Sequence, residues 1–479
     1  MDTIRPCWVA GRPVTGTETL PVYHPFDGAP VGVAAVPDTA DVERAVAAAQ
    51  AATAETAALP AYRRADALRA AAAGLRRRAD EIAALITAES GKPLRWSRIE
   101  VTRAAGVLDW AAEEARRWSG ELQRLDTDPG GVGRIAMTRR VPRGPVLGIA
   151  PFNFPLNLVV HKLAPALAVG APIIVKPAPA TPLTALLLGE LLAEACLPEG
   201  SWSVLPVPDD RMPELVADPR LPVVSFTGSV PVGWRIRDAV PRKHVTLELG
   251  GNAAVIVCPD WSSEADLACA ARRIAAFATY QAGQSCIAVQ RVLVHRDLRE
   301  RFTELLVAAV RALTLGDPAD ERTEVGPLIN EPAARRVEDW ITEAVAAGGR
   351  LLTGGARDGA TLTPAIVADV PPGERLVAEE VFGPVLTVAD FDEIDGAFAA
   401  VNESRFGLQA GVFTHDLRTA FRASEVLDMG GVVIGDVPSY RADQVSYGGV
   451  KDSGIGREGV RAAMDDLTQD RVLILSGLD

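Results

Sequence analysis

From residue 146 the chain repeats one pattern: a short run of apolar, β-branched residues, then a longer stretch with helical periodicity. The runs Val146-Leu-Gly-Ile-Ala150, Pro172-Ile-Ile-Val175, Val204-Leu205, Val223-Val-Ser-Phe226 and Val245-Thr-Leu247 read as strands. Strands that alternate with helices imply crossover connections, and crossovers build a parallel, doubly wound sheet. A second series opens at Ala253-Ala-Val-Ile-Val257 and Arg291-Val-Leu-Val294. The turn from Glu248 to Asn252, with Gly250 and Gly251 at its centre, is the expected hinge between two α/β units. A length of 479 residues leaves room for about three domains.

Residues 38–120 are rich in Ala, Arg and Glu at helical spacing and read as three amphipathic helices whose apolar positions are core. Asp38 or Thr39 is the expected first cap, and Gly91 after Ser90 a helix stop. Residues 124–143 and the last dozen alternate apolar and polar residues, which predicts extra strands at a subunit contact. There is no internal repeat and no low-complexity linker.

A net charge of −13 disfavours a nucleic-acid or anionic-membrane partner, since both require a basic face. No run of about 18 uncharged apolar residues occurs, so no membrane span is expected. The opening MDTIRPCWVAGRPV lacks the basic-then-apolar order of a secretory signal. The five cysteines (Cys7, Cys196, Cys258, Cys269, Cys286) are scattered, with no paired CxxC and no metal site. A reducing, cytoplasmic location is expected.

Chemistry-bearing residues fall where open α/β sheets place their ligands, at strand ends. Glu248 ends one strand and leads into Gly250-Gly251. Asn153 lies in Phe152-Asn-Phe154-Pro155, just past another strand, and offers an NH2 donor to a developing oxyanion. Lys176 ends a third strand, suited to ribose hydroxyls or phosphate. Gly228-Ser229 follows the strand Val223–Phe226 and opens a helix, a plausible pyrophosphate site. Cys286 sits in the polar segment Gln281-Ala-Gly-Gln-Ser-Cys286, suited to an accessible thiol. Each has a plainer reading: a turn carboxylate, a turn amide, a solvated lysine, a buried cysteine. Together, a cysteine and a carboxylate suit covalent oxidation of an aldehyde, the thiol attacking carbonyl carbon and the carboxylate activating water. The literal GxGxxG at Gly454–Gly459 is rejected as a nucleotide site, because too little chain follows it for a βαβ unit. A Cys–His hydrolase is the rival; among five histidines (His24, His161, His244, His295, His415) no spacing to a cysteine is persuasive.

Seven segments, in this order, resemble the aldehyde dehydrogenase superfamily over nearly the whole chain: PFNFP (151–155), KP (176–177), FTGS (226–229), ELGG (248–251), GQSC (283–286), EEVFGP (379–384) and YGGVKDSGIGREG (447–459). The resemblance implies an α/β fold: a variant Rossmann cofactor domain (residues 1–123 and 144–250), an α/β catalytic domain (251–450) and a small β oligomerisation flap (124–143 and 467–479). It implies Cys286 as nucleophile, Asn153 as oxyanion donor and Glu248 as base for deacylation. It further implies a cofactor track through Ile149, Phe152, Lys176, Gly228, Ser229, Glu380 and Phe382. By the same resemblance Arg103, Phe154, His161, Ser285, Ile287, Arg441 and Tyr447 line the substrate pocket. Members are usually homodimers or homotetramers. Pro179 stands where many NAD-preferring relatives carry a glutamate, so NAD is expected with NADP tolerated. The nearest branch is that of lactaldehyde, non-phosphorylating glyceraldehyde-3-phosphate and phosphonoacetaldehyde dehydrogenases. Ser285 stands where some phosphonate-aldehyde relatives carry arginine. A basic pair, Arg441 with Arg103, would suit a short polar or anionic aldehyde; alternatively Arg441 is neutralised by Asp443 or Asp436. Two other functions compete: a CoA-acylating dehydrogenase or acyl-phosphate reductase, which generally lacks the glutamate of ELGG, and a catalytically silent binding protein.

Overall fold

The computed structural model describes residues 4–478. Residues 1–3 and 479, the outer ends of the first and last segments outlined above, lie outside them. The alternating pattern folds as its hydropathy demands. Val146–Ile149, Ile173–Lys176, Trp202–Val204, Val223–Thr227 and His244–Glu248 form parallel strands, nearly all buried. The second and third of these lie to one side of the first; the fourth and fifth lie to the other. The switch point therefore falls between Val146–Ile149 and Val223–Thr227, and their carboxyl ends open the crevice. Antiparallel strands close this eight-stranded sheet: the hairpin Cys7–Val9 and Arg12–Val14 at one edge, Gly454–Ile455 at the other.

The Glu248–Asn252 turn carries the chain from this sheet into a second, of seven strands. Its strands Ala254–Val257, Arg291–His295, Ala365–Ala368, Val385–Phe391, Gln409–Phe413 and Gly431–Ile434 run parallel, with Arg350–Thr353 antiparallel at one edge. A third sheet pairs Arg134–Pro142 with Thr468–Ser476 and Leu122–Arg124, all antiparallel. The chain also returns from the second sheet to the first: Val460, Met464 and Leu467 pack into the core beneath the eight strands.

The amphipathic region forms four helices rather than three: Thr39–Ala58, Ala61–Arg77, Ala79–Ser90 and Leu94–Arg117. Asp38 caps the first in a reciprocal box with Asp41, and Gly91 ends the third at φ +71°. The additional break falls at Arg78, where neither Gly nor Pro interrupts the periodicity. There the guanidinium is tied to Glu81 and Glu190 instead.

Two of these helices carry buried carboxylates that serve as caps for other helices. Glu89 accepts from the amides of Leu183 and Thr184 at 2.8 and 3.0 Å, at the start of helix Leu183–Ala193. Glu100 accepts from those of Leu156 and Asn157 at 2.9 and 3.0 Å, at the start of helix Asn157–Val169. A helix N-terminus leaves such donors unpaired and favours negative charge. Glu100 is also ion-paired with buried Lys92, whose ammonium lies 4.0 Å from the centroid of the Phe154 ring. The pair thus fixes both ends of the Phe154–Asn157 loop. Among the described residues no helix is long and apolar enough to cross a membrane. Glu100→Ala strands the Lys92 charge and is expected to cost about 3–5 kcal/mol in urea unfolding, part of which Lys92→Met in the same chain restores. An unchanged urea midpoint in Glu100→Ala would remove Glu100 from this role.

Candidate active site

Cys286 lies where the two sheets meet, on a loop that leaves helix Glu264–Thr279 through three consecutive left-handed residues: Gln281 (φ +54°), Ala282 (φ +54°) and Gly283 (φ +71°). For Gln and Ala this conformation costs energy and persists only when packing imposes it. The packing is backbone on backbone. A Cβ on Gly283 would stand 2.2 Å from the carbonyl oxygen of Gly383, and one on Gly251 would stand 2.2 Å from that of Cys286. The glycines of GQSC and ELGG therefore hold the cysteine loop against the FGP loop and the hinge.

The cysteine faces a cavity of about 390 Å³ that Asn153, Glu248, Glu380 and Arg441 also line. The thiol packs against Ile287, Leu408 and Tyr447, with the Tyr447 hydroxyl 3.2 Å from Sγ. Burial pushes its pKa up to about 12 against the opposing effect of that hydroxyl. The preceding Ser285 is held by the buried Tyr280 hydroxyl at 2.6 Å. Asn153 Nδ2 donates to the carbonyl of Gln284 at 2.9 Å, which sets the amide beside the cysteine loop; its Oδ1 has no partner.

Glu248 is 3% exposed, and neither of its carboxylate oxygens has a hydrogen-bond partner. Burial, then the charge of Glu458, hold its pKa well above the usual carboxylate range; Arg441, Lys162 and Arg457 pull the other way. Glu458 is the opposite case. Burial works against its ionisation, but Lys162 at 3.2 Å and Arg441 at 3.1 Å outweigh it and hold the pKa low. The pocket thus shifts the pKa of one carboxyl upward and that of its neighbour downward.

Arg103 and Arg441 both line the cavity. Arg103 grips Asp443 through two nitrogens at 2.6 and 3.0 Å. Arg441 makes its contact with Glu458, not with Asp436, which Arg273 takes at 2.7 and 2.8 Å; Asp443 is 4.0 Å away. The Arg441 guanidinium is buried, with Nε unpaired. His161, expected in the pocket, sits one layer behind it. Its ring is fully buried, with Nε2 on Asp443 at 2.9 Å, and it does not line the cavity. Phe154, Ser285, Ile287 and Tyr447 do line it.

Along the expected cofactor track, Phe152, Gly228, Ser229, Glu380 and Phe382 share the same cavity. Phe152 and Phe382 meet edge to face at 5.9 Å, Phe382 in a left-handed conformation (φ +48°). Glu380 accepts from the Gly251 amide at 3.0 Å. Ser229 stands at the N-cap of helix Val230–Ala239 without a side-chain cap bond, leaving donors of the first turn unpaired. Ile149 and Lys176 lie outside this cavity at neighbouring strand ends, the Lys176 ammonium paired with Asp209.

The sequence reading assigned no part to Glu458, Lys162 or Tyr280. Lys162 carried a signal: it is the one lysine in the buried, mostly apolar helix Asn157–Val169, and a buried ammonium requires a partner. Glu458 is masked by its setting in a glycine-rich stretch that reads as a turn.

Residues 11–473 match the sequence profile of the aldehyde dehydrogenase family. The chain belongs to that family. A 3-sulfolactaldehyde dehydrogenase from Priestia aryabhattai is 41% identical to this aldehyde dehydrogenase over 470 residues, covering 98% of this chain and 97% of the relative. The crystal structure of aldehyde dehydrogenase 21 from Physcomitrella patens, in complex with the reaction product succinate, matches with a TM-score of 0.97 at 41% identity, over 100% of this chain and 99% of that one. NADP-dependent glyceraldehyde-3-phosphate dehydrogenase from Bacillus halodurans C-125, complexed with NADP, matches with a TM-score of 0.95 at 32% identity, over 99% of this chain and all of the other.

The fold class expected from the sequence is thus the family's, and the enzyme is an NAD(P)-dependent aldehyde dehydrogenase. Its own residues fit a dinucleotide. The unpaired first-turn amides after Ser229 suit a pyrophosphate, and the cavity runs from there past Glu380 to Cys286.

Burial raises the Glu380 pKa to about 7, with the Gly251 amide pulling it down. A carboxyl whose pKa is higher folded than unfolded loses stability as pH rises from the unfolded to the folded value. Glu380→Gln is therefore expected to raise the melting temperature at pH 8 and to raise it much less at pH 5. Equal shifts at both pH values would contradict this.

Proposed function

We propose that this aldehyde dehydrogenase oxidises short anionic aldehydes to free acids, with Cys286 as nucleophile, Asn153 as oxyanion donor and Glu248 as base. The observation that carries the reading is the convergence of a thiol, an amide donor and an unpaired buried carboxyl on one cavity. The Cys286 sulfur attacks the carbonyl carbon to form a thiohemiacetal, whose oxyanion accepts from Asn153. A nicotinamide held beside Glu380 and Phe382 would supply the hydride acceptor for oxidation of this adduct to a thioester. Glu248 then takes a proton from water as the water oxygen attacks the thioester carbon, and the acid leaves as Cys286 is freed. Desolvation of Glu248 raises its basicity for that step. A carboxyl at this position favours water over CoA or phosphate as acyl acceptor, and an intact trio leaves little place for a silent binding protein.

The anionic preference rests on Arg103 and Arg441 in the cavity wall, paired with Asp443 and Glu458, with Lys162 behind them sharing Glu458. Arg441 also keeps an unpaired Nε in the buried wall. The related sulfolactaldehyde dehydrogenase and the succinate complex of aldehyde dehydrogenase 21 support the same class. NAD is the favoured cofactor, because Asp209 occupies Lys176 and opposes a 2′-phosphate. The eight-stranded sheet is the cofactor half, the seven-stranded sheet the catalytic half, and the sheet of Arg134–Pro142 and Thr468–Ser476 an oligomerisation flap. A homodimer or homotetramer fits the edge strand Thr468–Ser476, which exposes Val472, Leu473, Ile474 and Leu475 in succession. Five free thiols favour a cytoplasmic location.

In Glu248→Gln, a burst of reduced cofactor equal to the enzyme concentration should precede a steady state slowed by a hundredfold or more, with the acyl-enzyme visible by mass spectrometry; Cys286→Ala should bind NAD and show neither burst nor turnover. Unimpaired turnover in Cys286→Ala would end the assignment. For Arg441→Ala, the ratio of kcat/KM for succinate semialdehyde to that for propanal should fall by about ten- to a hundredfold, the worth of a hydrogen bond to a charged group. An unchanged ratio would remove Arg441 from anion recognition.

A further inference from the structure

Tyr447 is placed more tightly than a pocket-lining residue requires. Its backbone is bridged to Glu458 in both directions, Tyr447 N–H to Glu458 O at 2.9 Å and Glu458 N–H to Tyr447 O at 2.7 Å. The side chain is 7% exposed, and the Arg441 guanidinium lies 3.9 Å from the centroid of its ring. Among the described residues its hydroxyl has one side-chain contact, the Cys286 sulfur at 3.2 Å. Ile287 and Leu408 pack beside Cys286 on the apolar side, while Asn153, Glu248 and Arg441 line the same cavity.

A thiolate has no proton to give, so in a pair of this kind the phenol must be the donor. In an apolar wall the anion is costly without a donor, and a charge-assisted hydrogen bond carries more weight there than in water. A cation over the ring face withdraws electron density from the phenol and strengthens its O–H as a donor. We propose that Tyr447 is a catalytic residue whose hydroxyl donates to the Cys286 sulfur as the thiol ionises, easing the cost of that charge and aiming the sulfur for attack, with Arg441 strengthening that donor from a face of the ring. The thiol proton leaves to solvent and the phenol keeps its own. As the sulfur lone pair forms the bond to carbonyl carbon, the sulfur loses its charge and the hydroxyl is released from it. Burial, with the charge of Cys286, holds the phenol pKa well above 10, so the hydroxyl remains a donor over the working range of pH. The same ring thereby joins the anion-binding guanidinium to the nucleophile.

The inference rests on Cys286 being the nucleophile, and its test reads the thiol itself rather than turnover. Iodoacetamide alkylation of the Cys286 peptide is followed by mass spectrometry against pH in the unliganded enzyme, which separates it from the exposed Cys196 and Cys269. Tyr447→Phe should move the midpoint of that profile upward by about one pH unit and slow alkylation near neutral pH by about tenfold, with the melting temperature unchanged. Tyr280→Phe, which removes the hydroxyl held 2.6 Å from Ser285, should leave the midpoint in place. An unmoved midpoint in Tyr447→Phe, or an equal displacement in Tyr280→Phe, overturns the proposal. Full turnover in Cys286→Ala would instead strike the nucleophile assignment and leave the alkylation result standing.

Discussion

The site depends on contacts between backbones that admit no side chain. The Cys286 carbonyl rests where a Cβ of residue 251 would be, and the Gly383 carbonyl where a Cβ of residue 283 would be. These two exclusions bring the end of the first sheet, the nucleophile loop and the FGP loop within van der Waals reach. They also impose the left-handed course of Gln281 and Ala282, which no local preference of glutamine or alanine would choose. The thiol's position follows from steric exclusion more than from attraction, and a site fixed that way is stiff.

Within this frame the charges are arranged by burial. Lys162 and Arg441 spend their attraction on Glu458, which stays ionised, and Glu248 is left buried with no hydrogen-bond partner. A carboxyl fully paired with a lysine would be a poor base. One held apart by a neighbouring carboxylate and by desolvation keeps its affinity for a proton until water is presented to it. Arg441 belongs to the same set, so the proposed anion recognition and the shift of Glu248 draw on one pool of charge.

Much of this was legible in the sequence because it is periodic or glycine-marked. The parallel strands follow from β-branched runs between helical stretches, and Asp38 and Gly91 punctuate as capping chemistry requires. Cys286, Glu248 and Asn153 were identifiable from their motifs and share one cavity. What escaped was long-range pairing. Glu100 and Glu89 look like surface positions on amphipathic helices, yet they cap helices that begin 57 and 94 residues further on. The family resemblance places His161 in the pocket, but its ring meets Asp443 behind the cavity instead. The break at Arg78 carries no Gly or Pro; a local pair with Glu81 and a long-range one with Glu190 hold the residue there.

The return of the chain from the second sheet to the first has a consequence for the order of synthesis. Gly454–Ile455 closes an edge of the sheet whose other edge is laid down from Cys7, and Glu458 supplies the counter-charge that Lys162 requires. A nascent chain therefore carries Lys162 uncompensated, and one sheet edge open, until residues 454–458 have left the ribosome. The eight-stranded half begins before the seven-stranded half and is completed after most of it, so the two halves do not mature one after the other as independent domains usually do. The reaction centre at their junction comes into being in a single late step.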